Sequence, residues 1–196
     1  RGTPQGGIIS PLLSNIVLNE LDWWITSQWE EFPTRYAYKC FIHENGTANK
    51  SPAYSALRKT GLKECYIVRY ADDFKLFCSN RTDAVKLFEA TKQWLKERLG
   101  LEISPEKSKI VNLKRHYSEF LGFKLKAKPK GKKSNGETKY VVTSHISDKA
   151  YRNILTRANQ TVRNMAHPFN DMDTFQIIGA YNAFVMGVHQ YYSLAT

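Results

Sequence analysis

Cys65-Tyr66-Ile67-Val68-Arg69-Tyr70-Ala71-Asp72-Asp73-Phe74-Lys75-Leu76-Phe77-Cys78 joins two β-prone runs through a short acidic segment. Tyr, Ile, Val and Phe suit a pleated, half-buried surface, so the stretch predicts a β-hairpin with its apex at Ala71-Asp72-Asp73. Two adjacent carboxylates at an apex have no packing value and repel each other. A divalent cation removes that penalty. Hard oxygen donors suit Mg²⁺, which keeps waters and binds through one or two carboxylates plus substrate phosphates. Neighbouring strand residues point to opposite faces, so the two acids are not equivalent: Asp72 is the expected metal ligand and Asp73 a supporting acid at the same metal site. The bland alternative is an acidic turn on a solvated hairpin.

On the N-terminal side, Ser10-Pro11 reads as a helix start, with Ser at the N-cap and Pro at the first helical position. Leu12, Leu13, Ile16, Val17, Glu20, Leu21 and Trp24 follow at helical spacing, predicting a helix from 11 to about 29. Pro33, Asn45-Gly46 and Ser51-Pro52 break residues 30–64 into loops, with one short helix near Tyr54–Thr60. On the C-terminal side an amphipathic helix is expected over Asp83–Leu99, closed by Gly100. Lys109–Leu113 and Phe120–Leu125 read as short strands. Residues 126–139 read as a charged linker and hairpin tip, with Tyr140–Ser144 as the returning strand. Ser147 then caps a helix that Pro168 ends, and Asp173 or Thr174 starts a last one reaching Tyr192. The expected organisation is an α+β part over 1–145 and an all-helical part over 146–196.

Composition narrows the partners. The chain has 196 residues, of which 42% are hydrophobic and 24% charged, an ordinary globular balance. It contains no apolar run long enough for a transmembrane helix, and no membrane role is expected. Lys and Arg outnumber Asp and Glu by 29 to 18, leaving +11, which points to a polyanionic partner. Between Pro105 and Lys133 ten basic residues stand against two acids, a balance of +8 in 29 residues. Lys124, Lys126 and Lys128 in that stretch, with Arg152 and Arg157 further on, are candidate contacts to a nucleic-acid backbone. A charge run is usually only a solvated face. Six phosphate contacts on a duplex would give a log–log salt slope of about −5. The three cysteines form no CxxC pair and read as small buried residues in a reducing cytoplasm. The five histidines show no ligand spacing.

The chain opens on Arg1-Gly2-Thr3-Pro4-Gln5-Gly6-Gly7, without an initiator Met, which reads as a piece of a longer protein. Glycines there let backbone approach a ligand, and the helix start that follows favours anions. No Gly-Lys-Ser/Thr follows, so this is not a P-loop.

At this point four motifs resemble, in order, those of reverse transcriptases encoded by group II introns. Gly2–Ile16 (GTPQGGIISPLLSNI) is similar to the template- and nucleotide-contacting motif, and Tyr70–Asp73 (YADD) to the catalytic palm motif. Leu99–Ile110 (LGLEISPEKSKI) is similar to the motif that follows it, and Phe120–Phe123 (FLGF) to the primer grip. The helical remainder resembles the thumb, or maturase X region. The resemblance implies a partial right-hand polymerase palm, an antiparallel sheet with packed helices, followed by a helical thumb. It implies copying of RNA into DNA by two-metal phosphoryl transfer with Mg²⁺ and dNTPs, on an RNA template and primer, with intron RNA as a further partner. By the same resemblance Gln5, Gly6 and Gly7 shape the nucleotide and template side. Tyr70 and Ala71 lie under the incoming sugar, and Phe120, Leu121 and Gly122 position the primer. Lys107 is a candidate proton donor to the leaving pyrophosphate, with a solvated lysine as the bland alternative and Lys109 as a rival. A bacterial, cytoplasmic ribonucleoprotein is the implied setting. The family's upstream carboxylate and fingers are absent from this sequence. The chain alone is therefore expected to hold metal weakly, not to polymerise, and to self-associate through an incomplete sheet edge. The alternative function is a non-catalytic RNA-binding maturase on the same scaffold.

Overall fold

The computed structural model describes residues 9–38, 40–166 and 174–195. Along the chain run α1 (Ser10–Gln28), β1 (Phe41–Ile42), β2 (Ala48–Asn49), α2 (Ser51–Leu57), β3 (Cys65–Tyr70), β4 (Asp73–Cys78) and α3 (Arg81–Leu99). They are followed by β5 (Ser118–Phe120), β6 (Phe123–Lys132), β7 (Thr138–Ile146), α4 (Asp148–Ala166) and α5 (Thr174–Tyr191). This is the expected α+β class: antiparallel sheets with packed helices, then helices. The chain divides between Ile110 and Val111 into two compact units. The three-stranded sheet is thus grouped with the last helices, whereas the boundary expected near 145 separates an α+β part from an all-helical part.

In the first unit the β3–β4 hairpin pairs from Cys65↔Cys78 to Tyr70↔Asp73. Alternation turns Cys65, Ile67 and Arg69 to one face of β3, and α1 packs against that strand. The core comprises Leu18, Leu21, Ile25, Trp29, Leu57, Cys65 and Leu95. Trp24 stacks on Trp94 of α3 with ring centroids 5.2 Å apart. Trp29 is fully buried and donates its indole N–H to Tyr66 Oη at 3.3 Å.

α1 corrects one expectation. Its N-cap is Ile9, with no side-chain cap bond, so Ser10 is already helical. Its buried stripe is Leu18, Leu21 and Ile25, while Leu12 and Ile16 stay exposed. α3 is better served by its sequence. Asn80 accepts from Asp83 N at 2.9 Å to cap it, and Gly100 closes it with φ 65°. The two residues by which α3 starts ahead of Asp83 come from that cap.

In the second unit the sheet order is β5-β6-β7, all antiparallel. Residues 126–139 are not a linker. β6 runs on to Lys132 and β7 returns from Thr138, so only the tip turns. Lys109–Leu113 is not a strand. Asn112 accepts from the Arg115 and His116 amides through its carbonyl and from the Lys114 amide through its side chain, which folds the segment into a turn. Ser147 caps α4 as expected, accepting from Ala150 N at 3.3 Å. Phe123 packs on Tyr191 and Tyr192 of the C-terminal segment, at 5.9 and 5.1 Å between ring centroids. Pro168 and Asp173 lie outside the described residues.

The cysteines divide by environment rather than sharing one. Cys65 is buried, Cys78 half-buried and Cys40 exposed, which corrects the reading of all three as buried. Burial pushes the Cys65 thiol up to about 11, far from its thiolate at neutral pH. Native protein near neutral pH is therefore expected to take up iodoacetamide at Cys40 first, with Cys65 reacting only after unfolding. Peptide mass mapping before and after denaturation checks this.

Candidate nucleic-acid and metal site

Ala71 and Asp72 form a two-residue turn closed by the Tyr70–Asp73 pair. Asp73 is thus the first residue of β4 rather than part of the loop. Ala71 has φ 53°, in the left-handed region that costs a residue with a Cβ about 1–2 kcal/mol. Asp72, Asp73 and Tyr70 are exposed, and neither acid forms an ion pair with a described residue. Two such carboxylates are hard oxygen donors of the kind Mg²⁺ takes together with water, so they fit that ion. Among the described residues no group of three or more His, Cys, Asp or Glu side chains is placed to hold a metal.

Sequence reasoning missed the residue behind this turn. Arg69 lies on the inward face of β3, where an unpaired charge would be costly. Its Nε donates to Asp22 Oδ1 and Oδ2 at 2.9 and 3.0 Å, and its Nη2 to Oδ2 at 2.6 Å. Its Nη1 donates to Asn15 Oδ1 at 2.9 Å and to the Ala71 carbonyl at 2.8 Å. The side chain is only 10% exposed. Hydrogen bonds to Asp22 hold the guanidinium's pKa above its ordinary value. The signal was present in the sequence: strand parity turns residue 69 inward with Cys65 and Ile67, and Asp22 adjoins Leu21 on the buried side of α1.

A second turn repeats the pattern. Leu121 and Gly122 join β5 to β6 between the paired Phe120 and Phe123, with φ 50° and 78°. Again the carbonyl of a non-glycine residue at positive φ is held by a side chain: Tyr191 Oη donates to Leu121 O at 3.0 Å. Ser147 N donates to Gly122 O at 2.8 Å. A Cβ on Gly122 would meet Tyr192 Oη at 2.7 Å as well as the positive φ. Gly122→Ala is therefore expected to destabilise the second unit by about 1–3 kcal/mol. Thermal unfolding checks this, with a Tyr192→Phe background relieving the clash but not the backbone strain.

The basic candidates separate by what they already bind. Lys124 donates to Asp148 at 2.5 Å and lies over the Tyr117 ring, and Lys126 lies over the same ring at 5.0 Å. That bond raises the Lys124 pKa and lowers that of Asp148. Lys128, Lys130 and Lys132 form no ion pair with a described residue. Lys124, Lys126 and Lys128 share one face of β6, paired with His145, Thr143 and Val141. The register then shifts between Pro129 and Lys132, and Lys132 pairs with Thr138. Thr138 shares a face of β7 with Tyr140, the partner of Pro129, so Lys132 lies on the opposite face from Lys128. Arg157 is placed over the Phe184 ring at 5.0 Å, and Arg152 Nε donates to the Asp148 carbonyl at 3.2 Å.

Lys107 ends an exposed turn and Lys109 follows it, also exposed. No hydrogen bond or ion pair joins either to the Asp72 turn. Gln5, Gly6 and Gly7 lie outside the described residues. Among the described residues no helix is long and apolar enough to cross a membrane.

A family profile described as "Reverse transcriptase (RNA-dependent DNA polymerase)" matches residues 1–125. The chain is 29% identical over 158 residues to the putative COX1/OXI3 intron 2 protein of Saccharomyces cerevisiae, covering 65% of this chain and 17% of that protein. It is 32% identical over 133 residues to protein YkfC of Escherichia coli, covering 64% of this chain and 32% of that protein. Over 242 aligned positions it is 26% identical to the group II intron-encoded protein LtrA of Lactococcus lactis, covering all of this chain and 40% of that protein. The chain thus spans between 17% and 40% of the lengths of these relatives. They come from yeast as well as bacteria, which does not support the bacterial setting expected above.

Proposed function

Because the chain belongs to the reverse transcriptase family, of the group II intron-encoded kind, we propose that it supplies part of an RNA-directed DNA polymerase in the full-length protein. Residues 1–145 act as the partial palm and 146–196 as the thumb. The observation that carries this reading is the Ala71–Asp72 turn, which presents two exposed acids while its backbone is tied to α1.

Asp72 and Asp73 would hold Mg²⁺, with Asp72 the principal ligand. The bound ions supply Lewis acidity to the attacking and leaving oxygens of phosphoryl transfer. Tyr70 and Ala71 lie beneath the incoming sugar, and the small Ala71 side chain leaves room for it. Gln5, Gly6 and Gly7 shape the nucleotide and template side. Phe120, Leu121 and Gly122 seat the primer end on a turn braced by Tyr191. Lys107 delivers a proton to the leaving pyrophosphate. Lys124, Lys126, Lys128, Arg152 and Arg157 face the nucleic-acid backbone. By itself the chain would hold metal weakly and would not polymerise, because the upstream carboxylate and fingers that the resemblance implies are not among its residues.

The test is primer extension on an RNA template by the full-length protein with Mg²⁺ and dNTPs. Extension supports the polymerase. Its absence in folded protein that still binds RNA favours a second reading, a maturase that grips intron RNA without catalysis. The lysines of β6 that lack ion pairs among the described residues favour that RNA-binding role.

A further inference from the structure

We propose that Arg69 is a positioning residue that sets the direction of the Asp72 carboxylate by fixing the Ala71–Asp72 peptide plane against α1. The proposal rests on the polymerase reading only for its kinetic consequence. Its structural part stands on this chain alone.

A planar peptide places the Ala71 carbonyl and the Asp72 amide in one rigid unit. Fixing Ala71 O therefore fixes the plane from which the Asp72 Cα, and its Cβ, project. Arg69 Nη1 holds that oxygen at 2.8 Å. The guanidinium is in turn immobilised from the other side: the Asp22 carboxylate takes Nε and Nη2, and Asn15 takes the remaining reach of Nη1. Asn15 and Asp22 lie two helical turns apart on α1, so the fork spans both and has one orientation. Backbone at positive φ persists where its surroundings over-determine it, and Ala71 at φ 53° has, among the described residues, one side-chain donor on its carbonyl, Arg69. Were Arg69 simply a core residue, an apolar side chain would pack the α1 interface without needing Asp22. The tie to the turn is what an arginine adds. Lysine cannot reproduce it, because one ammonium has no planar fork to reach Asp22 and Ala71 O together.

Arg69→Lys in the full-length protein separates this role from a structural one. Three quantities are read: thermal unfolding, hydrogen exchange of the Tyr70 and Asp73 amides that close the turn, and steady-state primer extension. The expected result is a nearly unchanged midpoint, exchange at those two amides faster by about tenfold, and kcat lower by about 100-fold, with KM for dNTP within about threefold. Asp22→Asn loosens the far end of the fork and leaves the guanidinium's charge uncompensated, so its midpoint should fall while exchange at the same two amides still rises above that of the rest of β3 and β4. Unchanged exchange at Tyr70 and Asp73 overturns the proposal. So does exchange that rises uniformly along β3 and β4 with a lowered midpoint, since that is general destabilisation. If wild-type protein extends no primer, the polymerase reading fails and the exchange data alone decide for or against Arg69.

Discussion

Asp72→Ala in the full-length protein is expected to lower primer extension by at least about 10³-fold while RNA affinity stays within about threefold. The side chain is exposed at a turn and bonds to no other described side chain, so its removal leaves the core untouched. What it removes is the donor on which the metal chemistry would depend, and groups that act as a unit lose nearly all activity when one is deleted. Asp73→Asn should cost less, about 10- to 100-fold, as a supporting group does. Extension assays beside filter binding of the same RNA separate the two effects. Loss of RNA affinity in Asp72→Ala would overturn its assignment to the chemical step.

The second large effect concerns salt. Replacing Lys128, Lys130 and Lys132 together by Gln should reduce the magnitude of the log–log salt slope for RNA binding by about 2, three lost contacts at about 0.7 each on single-stranded RNA. Affinity for unrelated sequences should fall in parallel, because phosphate contacts carry no sequence information. Lys124→Gln alone should change the slope by less than the full contribution, about 0.7, of an unpaired lysine. Its ammonium already bonds to Asp148 and would have to exchange one anion for another. Titrations at several salt concentrations decide. An unchanged slope in the triple variant would remove the outer half of β6 from the interface.

Much of this was legible because local chemistry and tertiary demand agree. The β3–β4 hairpin follows from two β-prone runs and a polar turn, and α3 from Asn80, Gly100 and the apolar spacing between them. Where they disagree, the reading slipped. Lys109–Leu113 has strand composition, yet Asn112 bonds its own neighbours' amides and folds the run into a turn. Residues 126–132 looked too charged to pair. In the structure Lys124, Lys126 and Lys128 occupy one face while Leu125 and Ala127 occupy the other, and the backbone ladder is indifferent to charge that Asp148, the Tyr117 ring or, at exposed Lys128, water can meet. On α1 the apolar residues outnumber those the hairpin can cover, so periodicity gave the helix but not its buried side. The acids at 72 and 73 stood out because their placement made no sense for packing. Arg69 stayed hidden because an arginine inside a strand is ordinary until its strand face is known.

The register shift near the end of β6 has a consequence for solubility. Beyond Ala127, whose amide donates to Leu113 O at 2.9 Å, β6 pairs with no described strand on its β5 side, and such a free strand is a template for aggregation. Here that stretch carries Pro129, which removes an amide donor, Gly131 at φ 77°, and a bulge that twists the strand away from flatness. Lysines project from both faces on either side of the bulge, so a second copy laid alongside would meet like charge whichever way it approached. The ribbon is therefore protected against growing into a shared sheet, and it can remain long and cationic without acting as a seed.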